Sequence, residues 1–213
     1  MKIDHRTVGP FQENSYLVID ESTNRSILID PGEEASALIA MAERSGSTLD
    51  AIWLTHAHLD HIGAVRAVRE RFPVPVFMHP LEAPTFRRAP QAAAGYGVPF
   101  DQPDYPDQEL ADGQRLQIGS REFTVFHVPG HAPGHVVFVG DGVMLGGDLL
   151  FAGSIGRTDL PYCDPVAMET SLELVSGFDP DLVVYPGHGP PTTIGRELET
   201  NPFLSGIARP IKR

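Results

Sequence analysis

Cysteine is nearly absent from this chain. Cys163 stands alone among 213 residues, so no internal disulfide can form and no thiolate competes for a metal. It lies in the acidic stretch Pro161-Tyr162-Cys163-Asp164-Pro165, which offers no base to activate a nucleophile, and it reads as incidental. Basic charge is scarce as well. The 16 Lys and Arg face 28 Asp and Glu, and the formal charge of -12 repels phosphate backbones and anionic membranes. Neither nucleic acid nor a membrane surface is therefore an expected partner. No run approaches the roughly 20 apolar residues of a transmembrane helix. Met1-Lys2-Ile3-Asp4-His5-Arg6 lacks the apolar core of a secretory leader. A cytoplasmic protein is expected, of an oligomeric state that composition leaves open.

Histidine, by contrast, is concentrated. Three of the nine imidazoles and one carboxylate fall within Thr55-His56-Ala57-His58-Leu59-Asp60-His61, directly after the apolar stretch Ala51-Ile52-Trp53-Leu54. Further candidate ligands follow apolar runs, each with glycine alongside. His131 lies in Val128-Pro129-Gly130-His131-Ala132-Pro133-Gly134-His135, Asp148 ends Met144-Leu145-Gly146-Gly147-Asp148, and His188 ends Val183-Val184-Tyr185-Pro186-Gly187-His188. Glycine lets the backbone turn sharply and carries the next side chain over a sheet edge.

Neutral imidazoles and carboxylates suit zinc, iron or manganese. His56 and His58, two apart in an extended segment, point to one side, while Asp60 and His61 reach a different point. That geometry suggests two divalent ions, zinc first. His56, His58 and His131 would hold one, Asp60, His61 and His188 the other, and Asp148 would bridge them. Such a pair lowers the pKa of a shared water and clamps attacking and leaving atoms. Asp30 and His135 read as residues that orient ligands from behind. His5, His79 and His127 are assigned to surface or core.

Along the chain, β-branched apolar runs alternate with helical segments. Tyr16–Ile19 and Ile27–Ile29 read as paired strands, and a helix is expected from Pro31-Gly32-Glu33-Glu34 to about Arg44. Leu49–Leu54 and Val74–Met78 read as strands flanking a helix over Ile62–Arg71, with another helix beginning near Pro80. Residues 83–107, rich in proline, alanine and aspartate, read as loop or short helices. Strands follow at Arg115–Ile118, Glu122–His127, His135–Val139 and Val143–Leu145, then a helix over Pro165–Val175, a strand at Leu182–Tyr185 and a short helix after Thr193. Without repeat or linker, this order implies one layered α/β sandwich over residues 1–213.

His56-Ala57-His58-Leu59-Asp60-His61 followed by His131, Asp148 and His188 resembles the metallo-β-lactamase superfamily signature, in order and across most of the chain. The resemblance implies a four-layer αβ/βα sandwich with metals at the edge between two sheets. The chain is most similar to the short, single-domain bacterial type II glyoxalases, through those motifs, Gly153-Ser154-Ile155-Gly156-Arg157-Thr158-Asp159, Pro186-Gly187-His188-Gly189-Pro190 and Asn201-Pro202-Phe203-Leu204.

That subgroup implies hydrolysis of a hydroxyacylglutathione thioester such as S-D-lactoylglutathione. A metal-bridging hydroxide would attack the carbonyl, with Asp60 and Asp148 in the catalytic centre and Arg157 gripping a glutathione carboxylate. Larger glyoxalases add a C-terminal helical glutathione-binding domain, whereas 25 residues follow His188 here. They also carry tyrosines where this chain has Asp159 and Pro190. The alternative on the same scaffold is a mononuclear non-haem iron persulfide dioxygenase, whose family shares a segment like Ser154–Asp159. Nuclease, β-lactamase and non-catalytic metal-binding readings fit the acidic charge, the missing leader and the intact ligand set less well.

Overall fold

A computed structural model describes residues 1–210. The first half builds a six-stranded sheet from β1 (Lys2–Val8), β2 (Glu13–Asp20), β3 (Arg25–Ile29), β4 (Thr48–Trp53), β5 (Val76–Met78) and β6 (Gln108–Glu109), in that spatial order. The second half begins a facing sheet with β7 (Arg115–Ile118), β8 (Arg121–His127), β9 (Val136–Gly140) and β10 (Val143–Gly147). A separate hairpin, β11 (Leu150–Phe151) and β12 (Ser154–Ile155), intervenes before β13 (Val183–Pro186) and β14 (Thr192–Thr193) complete that sheet in the order β14-β13-β10-β9-β8-β7.

Period-two alternation decides which way each strand's side chains go. Tyr16, Val18, Ile27, Ile29 and Trp53 face Phe123, Val125, Val136, Phe138 and Leu145 in a core between the sheets. Trp53 packs edge-on to Phe123 at 6.1 Å and tilted on Phe138 at 5.1 Å, the geometry aromatic quadrupoles favour.

The intervening residues cover the outer faces. Leu17, Leu28 and Ile52 meet the helices α1 (Ala35–Ser45), α2 (Leu59–Ile62), α3 (Val65–Arg71) and α4 (Ala83–Tyr96). Val137, Met144 and Val184 meet α5 (Pro165–Ser176) and α6 (Ile194–Thr200). The result is the expected αβ/βα sandwich, and no described helix is long and apolar enough to cross a membrane.

The short strands β6, β11, β12 and β14 carry no signal in the sequence reading, α1 begins at Ala35 rather than in Pro31-Gly32-Glu33-Glu34, and further elements also differ. Residues 83–96 are a regular helix, α4, despite Pro84 and Pro90. Pro84 falls in the first turn, where its missing N–H has no intrahelical partner to lose, and the Phe86 carbonyl that Pro90 leaves free accepts from Gln102 Nε2 at 3.3 Å. The helix read over Ile62–Arg71 is broken into α2 and α3 at Gly63-Ala64. There Gly63 packs so closely on the Gly32 carbonyl that an added Cβ would lie 2.5 Å from it. The edge strand β1, largely exposed and polar, carries no apolar alternation to announce it.

Asp20 joins the two sheets at their far end. Its buried carboxylate accepts from the Ser120 amide and hydroxyl, both at 2.8 Å, and from the Ser22 and Thr23 hydroxyls, both at 2.7 Å. The Ser120 amide and Ser22 hydroxyl hold this carboxyl well below the usual carboxylate range. A depressed folded value means that the stabilisation is present above the unfolded pKa of about 3.9 and is lost as pH falls below it. Asp20→Asn is expected to lower the urea midpoint at pH 7 and to flatten the acid side of the stability curve. An unchanged acid side would refute the assignment.

Candidate metal centre

Every candidate ligand stands where a strand ends at the same rim of the sandwich. His56 and His58 follow β4, and Asp60 and His61 lie in the single turn of α2, for which His58 is the entry residue. Backbone bonds stitch the rim together. Val136 N donates to Thr55 O at 2.8 Å, Asn14 N to Gly187 O at 2.7 Å and Gly187 N to Gly147 O at 2.7 Å. Asn14 Nδ2 and Tyr16 Oη donate to Pro186 O, which fixes the loop carrying His188 against the first sheet.

The side chains converge as two triads. Donor atoms of His56, His58 and His131 lie within 4.8 Å of one another, as do those of Asp60, His61 and His188. Asp148 stands between them. Its Oδ2 is 3.4 Å from His131 Nε2 and 3.5 Å from His188 Nε2, while its Oδ1 is 3.5 Å from His61 Nε2. Asp30, His56 and His61 are also close together, but the Asp30 oxygens are occupied by Thr55 N, Thr55 Oγ1 and His61 Nδ1 at 2.7, 2.6 and 3.0 Å.

Those contacts set the tautomers. His61 Nδ1 donates to Asp30, His131 Nδ1 to Arg157 O at 2.8 Å, and His56 Nδ1 to Thr55 Oγ1 at 3.0 Å. Each directs Nε2 to the centre, where it would offer its lone pair to a metal ion. His58 is the exception, with Nδ1 inward and 2.8 Å from His131 Nε2. Asp30 itself holds a left-handed backbone at φ 45, a strained conformation for an aspartate that three converging donors maintain. His135 Nε2 accepts from Asp148 N at 2.9 Å, which places it behind that carboxylate.

The site's charges are matched to a cation. Burial pushes His56 well below the ordinary imidazole range, and His58 down to about 3, so both are neutral and ligand-ready. Burial also opposes a charge on His188, but its contacts with Asp148 and Asp60 win and hold it up at about 9. Asp148 is held well below the carboxylate range, its own burial outweighed by His61 and His188. A divalent ion in the second triad would supply the positive charge those protons supply now.

Three observations fit a metal. His56 Nε2, His61 Nε2 and Asp148 Oδ1 are fully buried with no hydrogen-bond partner. Donor triads of imidazole and carboxylate match zinc, iron or manganese. Gly187 leaves the cradle open, since a Cβ there would sit 2.2 Å from Asp148 Oδ1.

The described residues 8–188 match the model of the Metallo-beta-lactamase superfamily. The chain belongs to that superfamily. Hydroxyacylglutathione hydrolase GloC of Haemophilus influenzae is 36% identical over 210 residues, covering 96% of this chain and 99% of that protein. The crystal structure of TTHA1623 in a di-iron-bound form superposes with a TM-score of 0.88 at 45% identity, covering 94% of this chain and 100% of that one. That of BLEG-1 B3 metallo-beta-lactamase gives 0.87 at 39%, covering 96% and 100%. Metallo-beta-lactamase superfamily membership makes the chain a metallo-hydrolase-type, metal-binding protein.

The metal rim opens into a cavity of about 740 Å³. The β11–β12 hairpin forms one wall and is held by Asn201, whose Nδ2 donates to Ser154 O at 3.0 Å and to Phe151 O at 3.4 Å. Arg157 lines this cavity and makes a two-bond pair with Asp159 at 2.7 and 2.8 Å. His79 and His127 stack on each other at 4.4 Å, away from the triads. Cys163 donates to His131 O at 2.9 Å.

Two acids escaped the sequence reading. Glu82 is fully buried and accepts from Ala57 N at 2.9 Å and Gly134 N at 2.6 Å, tying together the two histidine-bearing loops. Its signal was present: Glu82 immediately precedes α4, in phase with the buried residues Thr85, Phe86, Ala89 and Ala93, a carboxylate in line with that helix's apolar stripe. Glu13 is buried beside His61, with Oε1 4.0 Å from Nδ1, and burial raises its carboxyl well above the ordinary value.

Proposed function

We propose that this chain is a metal-dependent thioester hydrolase acting on hydroxyacylglutathione substrates of the S-D-lactoylglutathione type. His56, His58 and His131 would hold one divalent ion and Asp60, His61 and His188 a second, with Asp148 available to both. Zinc, iron and manganese all suit this donor set. The observation that carries the reading is the meeting of both triads at Asp148, on the floor of a cavity large enough for a small-molecule conjugate. Likeness to a hydroxyacylglutathione hydrolase over nearly the whole chain points to the thioester.

When bound, the ions supply an activated water and electrophilic stabilisation of a carbonyl oxygen. The residues do the rest. Asp30, Thr55 and the Arg157 carbonyl fix the imidazole tautomers, and His135 holds Asp148 in place through its amide. Phe11, Phe151, Ile155 and Leu160 give the cavity apolar walls against which the acyl group would pack. The leaving thiolate, with a conjugate-acid pKa near 8.5, departs without a dedicated proton donor.

Metal-loaded protein is expected to cleave S-D-lactoylglutathione with release of free thiol, and to lose that turnover on chelation. Oxygen uptake with glutathione persulfide and no thioester cleavage would overturn the proposal in favour of the dioxygenase.

A further inference from the structure

The cavity wall opposite the β11–β12 hairpin is one face of α4. Arg88, Ala92 and Tyr96 lie four residues apart and form a single ridge along it. At one end Tyr96 meets Phe11 edge-on at 5.2 Å. At the other end stands the Arg88 guanidinium, and the small side chains of Ala89 and Ala92 leave room between them.

The two cavity-lining arginines differ in what they already hold. Arg157 donates through Nε and Nη2 to both oxygens of Asp159, so its fork is filled by an internal carboxylate. Arg88 has no carboxylate within ion-pair distance among the described residues, and its side-chain contact is the neutral Gln91 Oε1 at 3.2 Å. In a chain of charge -12, a half-buried cation facing a cavity and left without an acid is an exception.

We propose that Arg88 is the specificity-determining residue for the thiol half of the substrate, pairing with a carboxylate there. The inference rests on the thioester reading and refines it. With the acyl group at the metal rim, the thiol half extends along the Arg88–Ala92–Tyr96 ridge. An open guanidinium at its end selects peptide-like thiols bearing a carboxylate over neutral ones of similar length. Arg157 instead shapes the wall through its pair with Asp159 and its carbonyl contact to His131.

The test compares two substrates on metal-loaded protein: S-D-lactoylglutathione, which carries carboxylates, and S-lactoyl-N-acetylcysteamine, which carries none. The ratio of their kcat/KM values is expected to fall about tenfold in Arg88→Gln, chiefly through KM, and further in Arg88→Glu, as loss of a charged hydrogen bond implies. A ratio unchanged in both variants, or one that falls in Arg157→Gln and not in Arg88→Gln, overturns the assignment. If the wild type cleaves neither thioester, the hydrolase reading fails by itself. Arg88 is then judged by calorimetry with S-methylglutathione. Weaker binding by about tenfold in Arg88→Gln upholds a carboxylate-reading site, and absent or unaltered binding ends it.

Discussion

Asp148→Ala is expected to lose both ions and at least about a thousandfold in turnover, the scale on which removal of a central electrostatic group acts. The reason is its position. One carboxylate approaches His61, His131 and His188 within 3.4–3.5 Å, so its removal strips the shared donor from both triads at once. It also removes one of the two carboxylates that His61 and His188 share, leaving Asp60 between them and Asp30 on His61. Metal content by mass spectrometry and thioester turnover should be read on one preparation. A variant with a full metal complement and ordinary turnover would remove Asp148 from the centre. Asp148→Asn, which keeps shape and one acceptor oxygen, should fall between the two.

The second large effect lies outside the proposed ligands. Glu82→Ala deprives Ala57 N and Gly134 N of their acceptor in a fully buried setting. Each orphaned amide costs about 1–3 kcal/mol, and with the cavity left behind the total is about 3–5 kcal/mol. That is a large share of the roughly 5–15 kcal/mol by which a domain is stable, and it corresponds to a melting temperature lower by roughly 10 °C. Because the same two amides lie in the loops bearing His56, His58 and His131, metal affinity should weaken by about 10–100-fold. A variant that melts within 2 °C of the wild type, or keeps its metal affinity, would show that the carboxylate is not a clamp.

How much of this was visible beforehand depends on what each residue answers to. The histidine-rich run, the glycine-flanked His131, Asp148 and His188, and the alternating strands are local patterns, and the structure brings these side chains to one rim. Asp30 stood open between a helix-entry residue before Pro31-Gly32 and a partner of a ligand imidazole, and only the packed structure shows it against His61. The helix α4 was obscured by Pro84 and Pro90, which are tolerated because one falls in the first turn and the carbonyl freed by the other finds Gln102, a partner that composition does not reveal. Glu82 and Asp20 act over 25 to 100 residues of separation, on backbone amides that carry no side-chain signature. The sheet-to-sheet register that makes them neighbours is a property of the packed sandwich. Arg88 became distinct from Arg157 only when Asp159 was seen to fill the fork of the latter.

The seam between the sheets also has a bearing on biosynthesis. Four of the proposed donors lie at residues 56–61 and the other three at 131, 148 and 188, so neither half owns a finished centre. A nascent chain emerging from the ribosome would expose the early imidazoles long before their partners exist. Ions caught then would be loosely and incompletely held. A complete donor set would therefore exist only once synthesis has passed His188 and the two sheets have closed on each other.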